Sequence, residues 1–204
     1  MRIYLHKNDL DQELHVEGSI AIDTEAMGLN IKRDRLCVVQ LSTGNSDCHV
    51  IHMEPGKEYH APRLVALLQN PQVTKIFHYA RFDVAILNHY LGVVTTPTYC
   101  TKVASKLART YTDKHGLKDL CADLLGIEMS KEERLTDWGS DRLTEAQLSY
   151  AATDVLYLHQ LKEKLDHMLM REKRMDLARK CFEFIPTCVE LDLDGWDGMR
   201  IFNH

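Results

Sequence analysis

An apolar strand that ends in two acids constrains this chain more than any other feature. The run Ser19-Ile20-Ala21-Ile22 is β-rich and apolar, and it leads directly into Asp23-Thr24-Glu25. Ile20 and Ile22 belong in a core. Side chains alternate along a strand, so Asp23 and Glu25 project from the same face. Two carboxylates in that position repel each other unless a cation lies between them. A hard divalent ion with oxygen ligands, such as Mg²⁺ or Mn²⁺, suits the pair. A polar turn at the strand end is the plain alternative for this pair taken alone.

The surrounding pattern predicts an α/β chain. Further strands are expected at Leu36–Leu41, Cys48–Ile51 and Thr74–Phe77. Val84, Ile86, Leu87, Tyr90 and Leu91 recur at helical spacing over Phe82–Leu91, and Gly92 supplies a stop. Helices are also expected over Thr101–Arg109 and Leu117–Leu125. Thr144-Glu145-Ala146-Gln147 fits a capping box, opening a helix that runs to about Met170. One more helix reaches Phe184, and Pro186 ends it. Strands first and helices later imply a mixed central sheet flanked by helices, with a helical C-terminal part. At 204 residues, one domain plus a small extension is the expected organisation. The division falls near residue 170: a domain over 1–170, then a C-terminal helix and tail over 171–204. The tail carries Leu191, Leu193, Trp196, Ile201 and Phe202, too many apolar groups for a disordered segment.

Two more acidic pieces follow. In Tyr150-Ala151-Ala152-Thr153-Asp154 the tyrosine and aspartate are four apart and share a helix face. A packed tyrosine beside a solvated aspartate would look the same, but Val155-Leu156-Tyr157-Leu158 follows and draws Asp154 toward the interior. In Phe77-His78-Tyr79-Ala80-Arg81-Phe82-Asp83 the chain leaves a strand and enters a helix. A carboxylate in a first helical turn is favoured by the helix dipole, which is the plain explanation of Asp83. His78 could equally be a hydrogen-bonded structural histidine.

Composition narrows the partners and the compartment. The formal net charge is −5, unlike the basic surface of proteins that coat long nucleic acid. The six cysteines form no C-x-x-C pair and sit mostly in apolar runs, as buried thiols in a reducing compartment do. The N-terminal stretch has charges throughout and no apolar signal core, and no run approaches the ~18 apolar residues of a membrane span. The expectation is a cytoplasmic protein without a membrane partner.

Taken together, Asp-x-Glu on the first core strand, Asp at a strand-to-helix junction and Tyr-x-x-x-Asp on a late helix resemble the DEDD exonuclease superfamily. The tyrosine-bearing, ribonuclease D-like branch fits. The sister branch has a histidine five residues before the last aspartate, where this chain has Ser149. Met27-Gly28-Leu29 after the first motif and His78 before Asp83 extend the likeness. So does Lys131-Glu132-Glu133-Arg134-Leu135-Thr136-Asp137-Trp138 before the third motif. The likeness runs from about residue 15 to residue 170. Ribonuclease D carries further helical nucleic-acid-binding domains. The room after Met170 does not hold them, and the layout is most similar to the bacterial short-chain group called nanoRNase C.

The resemblance implies a ribonuclease H-like fold and 3′-to-5′ exonuclease activity with two divalent ions, Mg²⁺ or Mn²⁺. The implied catalytic residues are Asp23, Glu25, Asp83, Tyr150 and Asp154. Asp23, Glu25 and Asp154 would hold one ion, and Asp23 with Asp83 the second. Tyr150 would orient the attacking water, since its ordinary pKa of ~10 makes it a poor base. The implied substrate is short single-stranded RNA, cut to nucleoside 5′-monophosphates, and the implied assembly is a ring-like homo-octamer. Met27, Gly28 and Leu29 would meet the terminal bases, with Leu29 as an apolar wedge. His78, Tyr79 and Arg81 are placed to touch sugar or phosphate. Lys102, Lys106 and Arg109 recur at i, i+4 and i+7 and make a candidate phosphate contact; an ordinary solvated helix face is the alternative. Three other classes are open to such a chain. A DNA-directed or broad single-strand exonuclease of the same fold shares every motif. A non-catalytic RNA-binding scaffold would be expected to lose an acid, and none is lost. A calcium-binding structural domain would gather its ligands in one loop, whereas these acids span ~130 residues.

Overall fold

The computed structural model describes residues 2–129, 137–196 and 200–202. Six strands form one mixed sheet: β1 (Arg2–Lys7), β2 (Ser19–Ala26), β3 (Leu36–Ser42), β4 (Asp47–His52), β5 (Thr74–Phe77) and β6 (Thr98–Cys100). Their spatial order is β1-β4-β3-β2-β5-β6. β2 runs antiparallel to β3 and parallel to β5, so the strand bearing Asp23 and Glu25 is central. Every residue of β3 is buried, as a run that is apolar but for Gln40 and Ser42 requires of a strand covered on both faces. The expected strands are all present, three of them slightly longer than expected and Thr74–Phe77 with the expected bounds. β1 and β6 were not expected. β1 is an edge strand that mixes charge with apolar residues, and β6 has only three residues, too few to show a period.

Among the described residues there are seven α-helices: α1 (Pro62–Gln69), α2 (Ala80–Leu91), α3 (Thr101–Ala108), α4 (Leu117–Leu120), α5 (Glu145–Leu156), α6 (Leu158–Arg171) and α7 (Met175–Asp194). Gly92 closes α2 in the left-handed conformation at φ 63°, as a stop glycine should. Beyond α4 the chain widens into a π-turn over Cys121–Leu125. Thr144 caps α5 as expected: Gln147 N donates to its hydroxyl, and Thr144 N donates back to Gln147 Oε1 at 2.9 Å. The long helix expected to Met170 breaks at Tyr157, and α6 starts afresh.

Pro186 does not end the last helix, which continues through it to Asp194. An interior proline costs ~3 kcal/mol. Ala178, Phe182, Ile185, Cys188 and Val189 form one buried stripe on α7, packed on α2, α3 and β6. Burying large apolar side chains at ~1.5–3 kcal/mol each outweighs the proline. Arg81 locks the far end by donating two hydrogen bonds of 2.5 Å to Asp192. Beyond α7, Trp196, Ile201 and Phe202 are largely exposed.

Candidate active site

The site lies at the C-terminal end of β2. Alternation along that strand turns Asp23 and Glu25 the same way, and α5 lies across β2, β3 and β4 with Tyr150 and Asp154 one turn apart. Oxygen atoms of Asp23, Glu25 and Asp154 all lie within 4.8 Å of one another. Three carboxylates at that spacing are the donor set a hard divalent cation needs, so the residues fit such an ion. Asp83 stands beside this trio rather than in it. It is only 3% exposed, in the first turn of α2, and its Oδ1 accepts from Thr24 N at 3.1 Å and Thr24 Oγ1 at 2.7 Å.

The electrostatics are those of buried acids crowded together. Burial, then Asp83, Asp154 and Glu25, push Asp23 well above the ordinary carboxylate range. Burial pushes Asp83 up to about 7, against the lowering effect of the Thr24 hydrogen bonds. Among the described residues, Asp23 and Asp83 accept hydrogen bonds only from neutral groups.

A cleft of about 760 Å³ opens over the acids. Asp23, Glu25, Tyr150 and Asp154 line it together with Met27, Gly28, Leu29, His78, Tyr79 and Lys102. Leu29 is 85% exposed at the rim, beside Met27 at 59%. Gly28 is there for close approach: a Cβ on it would meet Asp34 Oδ2 at 2.2 Å. Tyr79 adopts the left-handed conformation at φ 68° as the cap of α2, which turns the chain out of β5. Lys102 Nζ sits 4.2 Å from its ring centroid. Thr101 Oγ1 donates to Phe77 O at 3.2 Å and lies 2.8 Å from His78 Nδ1, so His78 is the donor of that pair.

Three of the expected substrate-contacting residues are not brought to the cleft. Arg81 is turned to Asp192. Arg109 is 2% exposed, paired with Asp123 and donating to Lys114 O at 3.0 Å. The reason is local: α3 ends at Ala108, and Arg109 has φ −113° and ψ 59°, so its side chain leaves the helix face that i+7 spacing assumed. Lys106 is exposed but does not line the cleft. Conversely, Thr24, Phe82, Gly116, Leu117, Lys118 and Trp138 line it without having been singled out as site residues. Lys118 and Trp138 were within reach of the sequence, one in the basic stretch after α3 and the other at the end of the quoted third-motif run. Trp138 packs against Tyr150 with ring centroids 6.1 Å apart. Residues 131–136 of that run lie outside the described residues.

Known proteins share this arrangement. A family model described as 3′-5′ exonuclease matches residues 6–170. Ribonuclease D of Acidiphilium cryptum is 38% identical over 167 residues, covering 82% of this chain and 42% of the relative. The chain thus spans about two-fifths of the length of the curated relatives it matches. Brucella melitensis NrnC bound to pGG superposes with a TM-score of 0.91 at 52% identity, covering 96% of this chain and 95% of that one. The same protein with bound Mg²⁺ gives 0.91 at 51% identity, covering 96% of both chains. Escherichia coli RNase D shares the fold, at TM-score 0.74 and 24% identity, over 85% of this chain and 45% of that one. With the acids converging from β2, α2 and α5, these matches make the chain a member of the 3′-5′ exonuclease family, of the ribonuclease D-like DEDD type and with the compact layout of NrnC.

Proposed function

We propose that this protein is a metal-dependent 3′-to-5′ exoribonuclease that trims short single-stranded RNA to nucleoside 5′-monophosphates. The observation that carries the reading is the meeting of Asp23, Glu25 and Asp154 within 4.8 Å, with Tyr150 lining the same cleft. The relatives solved with Mg²⁺ and with pGG, each about half identical in sequence, support the ion class and the substrate length.

Hydrolysis joins a water oxygen to the terminal phosphorus and breaks the bond to the departing 3′-oxygen. Two divalent cations, when bound, neutralise charge on the attacking and leaving oxygens and acidify water. Asp23, Glu25 and Asp154 would hold one ion, and Asp23 with Asp83 would serve a second. Tyr150 would orient the attacking water by hydrogen bonding, since its ordinary pKa of ~10 makes it a poor base. Leu29 wedges against the terminal bases, beside Met27 and the Gly28 backbone, a contact indifferent to sequence. His78 and Tyr79 meet the sugar, and Lys102 and Lys118 face the phosphates. A −5 chain with these few cations at its cleft grips a short ligand locally.

The protein acts as a closed homo-oligomer held partly by its tail. Trp196, Ile201 and Phe202 are 59%, 44% and 52% exposed, and the edge strand β1 exposes Tyr4 and Leu5. Residues 171–204 are then a packing and assembly segment, with α7 serving the domain and the exposed end serving the assembly. Light scattering tests this, and a 23.5 kDa particle at micromolar concentration contradicts it.

The test of activity is a side-by-side digestion of a dinucleotide RNA, a long single-stranded RNA and matched DNA, each 5′-labelled. Fastest turnover of the RNA dinucleotide per 3′ end, abolished by chelator, is expected. Faster turnover of the long strand contradicts the length preference, and full activity in chelator contradicts the mechanism.

A further inference from the structure

Gln40 is the amide of a strand that has no packing use for one. Its neighbours on β3 are Leu36, Cys37, Val38, Val39, Leu41 and Ser42, and Gln40 is 0% exposed. A buried amide must find partners for its donors and its acceptor inside the protein. This one does so poorly. Nε2 donates to Asp23 Oδ2 at 3.4 Å, and the buried Oε1 has no hydrogen-bond partner among the described residues. Leucine or methionine would fill nearly the same volume and bury no orphaned carbonyl. The core therefore does not account for the side chain.

The register does. Gln40 lies directly opposite Asp23 in the antiparallel β2–β3 pair, so the two side chains share a face at close range. A flipped amide would set its carbonyl oxygen against the carboxylate, which fixes the N–H toward Asp23. The donor is also neutral. A lysine or arginine here would form an ion pair with Asp23 and compete with a cation, whereas an amide orients the carboxylate and leaves its charge in place. The same choice is made on the other buried acid, where Thr24 supplies neutral donors to Asp83.

We propose that Gln40 is a positioning residue for the metal site: its amide ties down Oδ2 of Asp23 and leaves the other oxygen to serve the cluster with Glu25 and Asp154. The inference rests on reading Asp23 as a cation ligand under the proposed function. Groups that orient metal ligands in this way are typically worth ~10–100-fold in metal affinity.

The test is Mn²⁺ binding to the full-length, substrate-free protein by calorimetry, for wild type, Asp23→Asn, Gln40→Leu and Gln40→Met. Wild type is expected to bind and Asp23→Asn to lose binding. Both Gln40 variants should bind ~10–100-fold more weakly. Their thermal midpoints should hold or rise, because the orphaned carbonyl is gone. In turnover assays with the dinucleotide, the Mn²⁺ concentration for half-maximal rate should rise, with kcat largely recovered at saturation. A residue that serves only packing gives the opposite pair: a lower midpoint with unchanged Mn²⁺ affinity, which overturns the proposal. If Gln40→Leu does not fold, Gln40→Met decides; if neither folds, Gln40 is a core element and the proposal fails. Equal binding by wild type and Asp23→Asn would instead remove the metal reading of the cleft, whatever Gln40 does.

Discussion

The carboxylates of the cleft and the cations of α3 were both marked by spacing, and the fold treats them in opposite ways. Asp23, Glu25 and Asp154 are brought within 4.8 Å of one another. Of Lys102, Lys106 and Arg109, only Lys102 reaches the cleft. A two-residue period on a central strand is rigid, because the neighbouring strands hold both sides of it. A seven-residue spacing on a short helix is only as good as the helix is long, and α3 stops one residue before Arg109. The pairing differs too. The arginines Arg81 and Arg109 are given carboxylates, Asp192 and Asp123, and serve to hold the fold. Asp23 and Asp83 are given neutral donors and no basic partner among the described residues, which leaves their carboxyl groups available to a cation.

The sharpest way to break this contrast is to truncate one member of each set. Asp23→Ala, Glu25→Ala or Asp154→Ala should lower turnover by on the order of 10³-fold or more, as measured with the dinucleotide, and should leave the apo thermal midpoint unchanged or higher because a repulsion is removed. Arg109→Ala should do the reverse. It should lose roughly 1–3 kcal/mol of stability in denaturant unfolding, with turnover at permissive temperature near wild type. A stable Arg109→Ala with impaired dinucleotide affinity would return that residue to the site.

Tyr150→Phe comes next in size. It keeps the ring against Trp138 and removes only the hydroxyl, so a ~10²-fold fall in kcat with little change in KM is expected. Wild-type turnover would reduce Tyr150 to a packing element.

The carboxylates also predict a pH dependence of the apo protein. Asp83 is raised from 3.8 to about 7 on folding, and Asp23 is raised as well. Between those values the folded state holds protons that the unfolded state has released. Apo stability should therefore fall as pH rises from about 4 through about 7. Added Mg²⁺ should raise the thermal midpoint more at pH 8 than at pH 5. A flat apo profile would mean that the buried acids are already compensated. The smallest effect separates neighbours on one helix: Lys102→Ala should raise KM for the dinucleotide several-fold, and Lys106→Ala should not.

What the sequence showed depended on how locally each feature is determined. The central strands, the Gly92 stop and the Thr144 capping box are set by residues within a turn or two, and all were legible. β1 was not, because an edge strand paired on one side tolerates the mixed pattern Arg-Ile-Tyr-Leu-His-Lys. The passage of α7 through Pro186 was not, because the compensation lies in α2, α3 and β6, which only the fold brings together. Within the site, the acids stood out as unusual residues in apolar surroundings. Gln40 and Thr24 did not, because their importance lies in which residue they face across a strand pair or a helix start.

The central claim is that the three converging carboxylates form a divalent-cation site. The most direct measurement is an anomalous-difference map from crystals of the wild-type protein grown with Mn²⁺. The account predicts a peak ~2.1 Å from oxygens of Asp23, Glu25 and Asp154, absent in crystals of Asp23→Asn. No peak at the cluster at millimolar Mn²⁺, or a peak that survives Asp23→Asn unchanged, would contradict it.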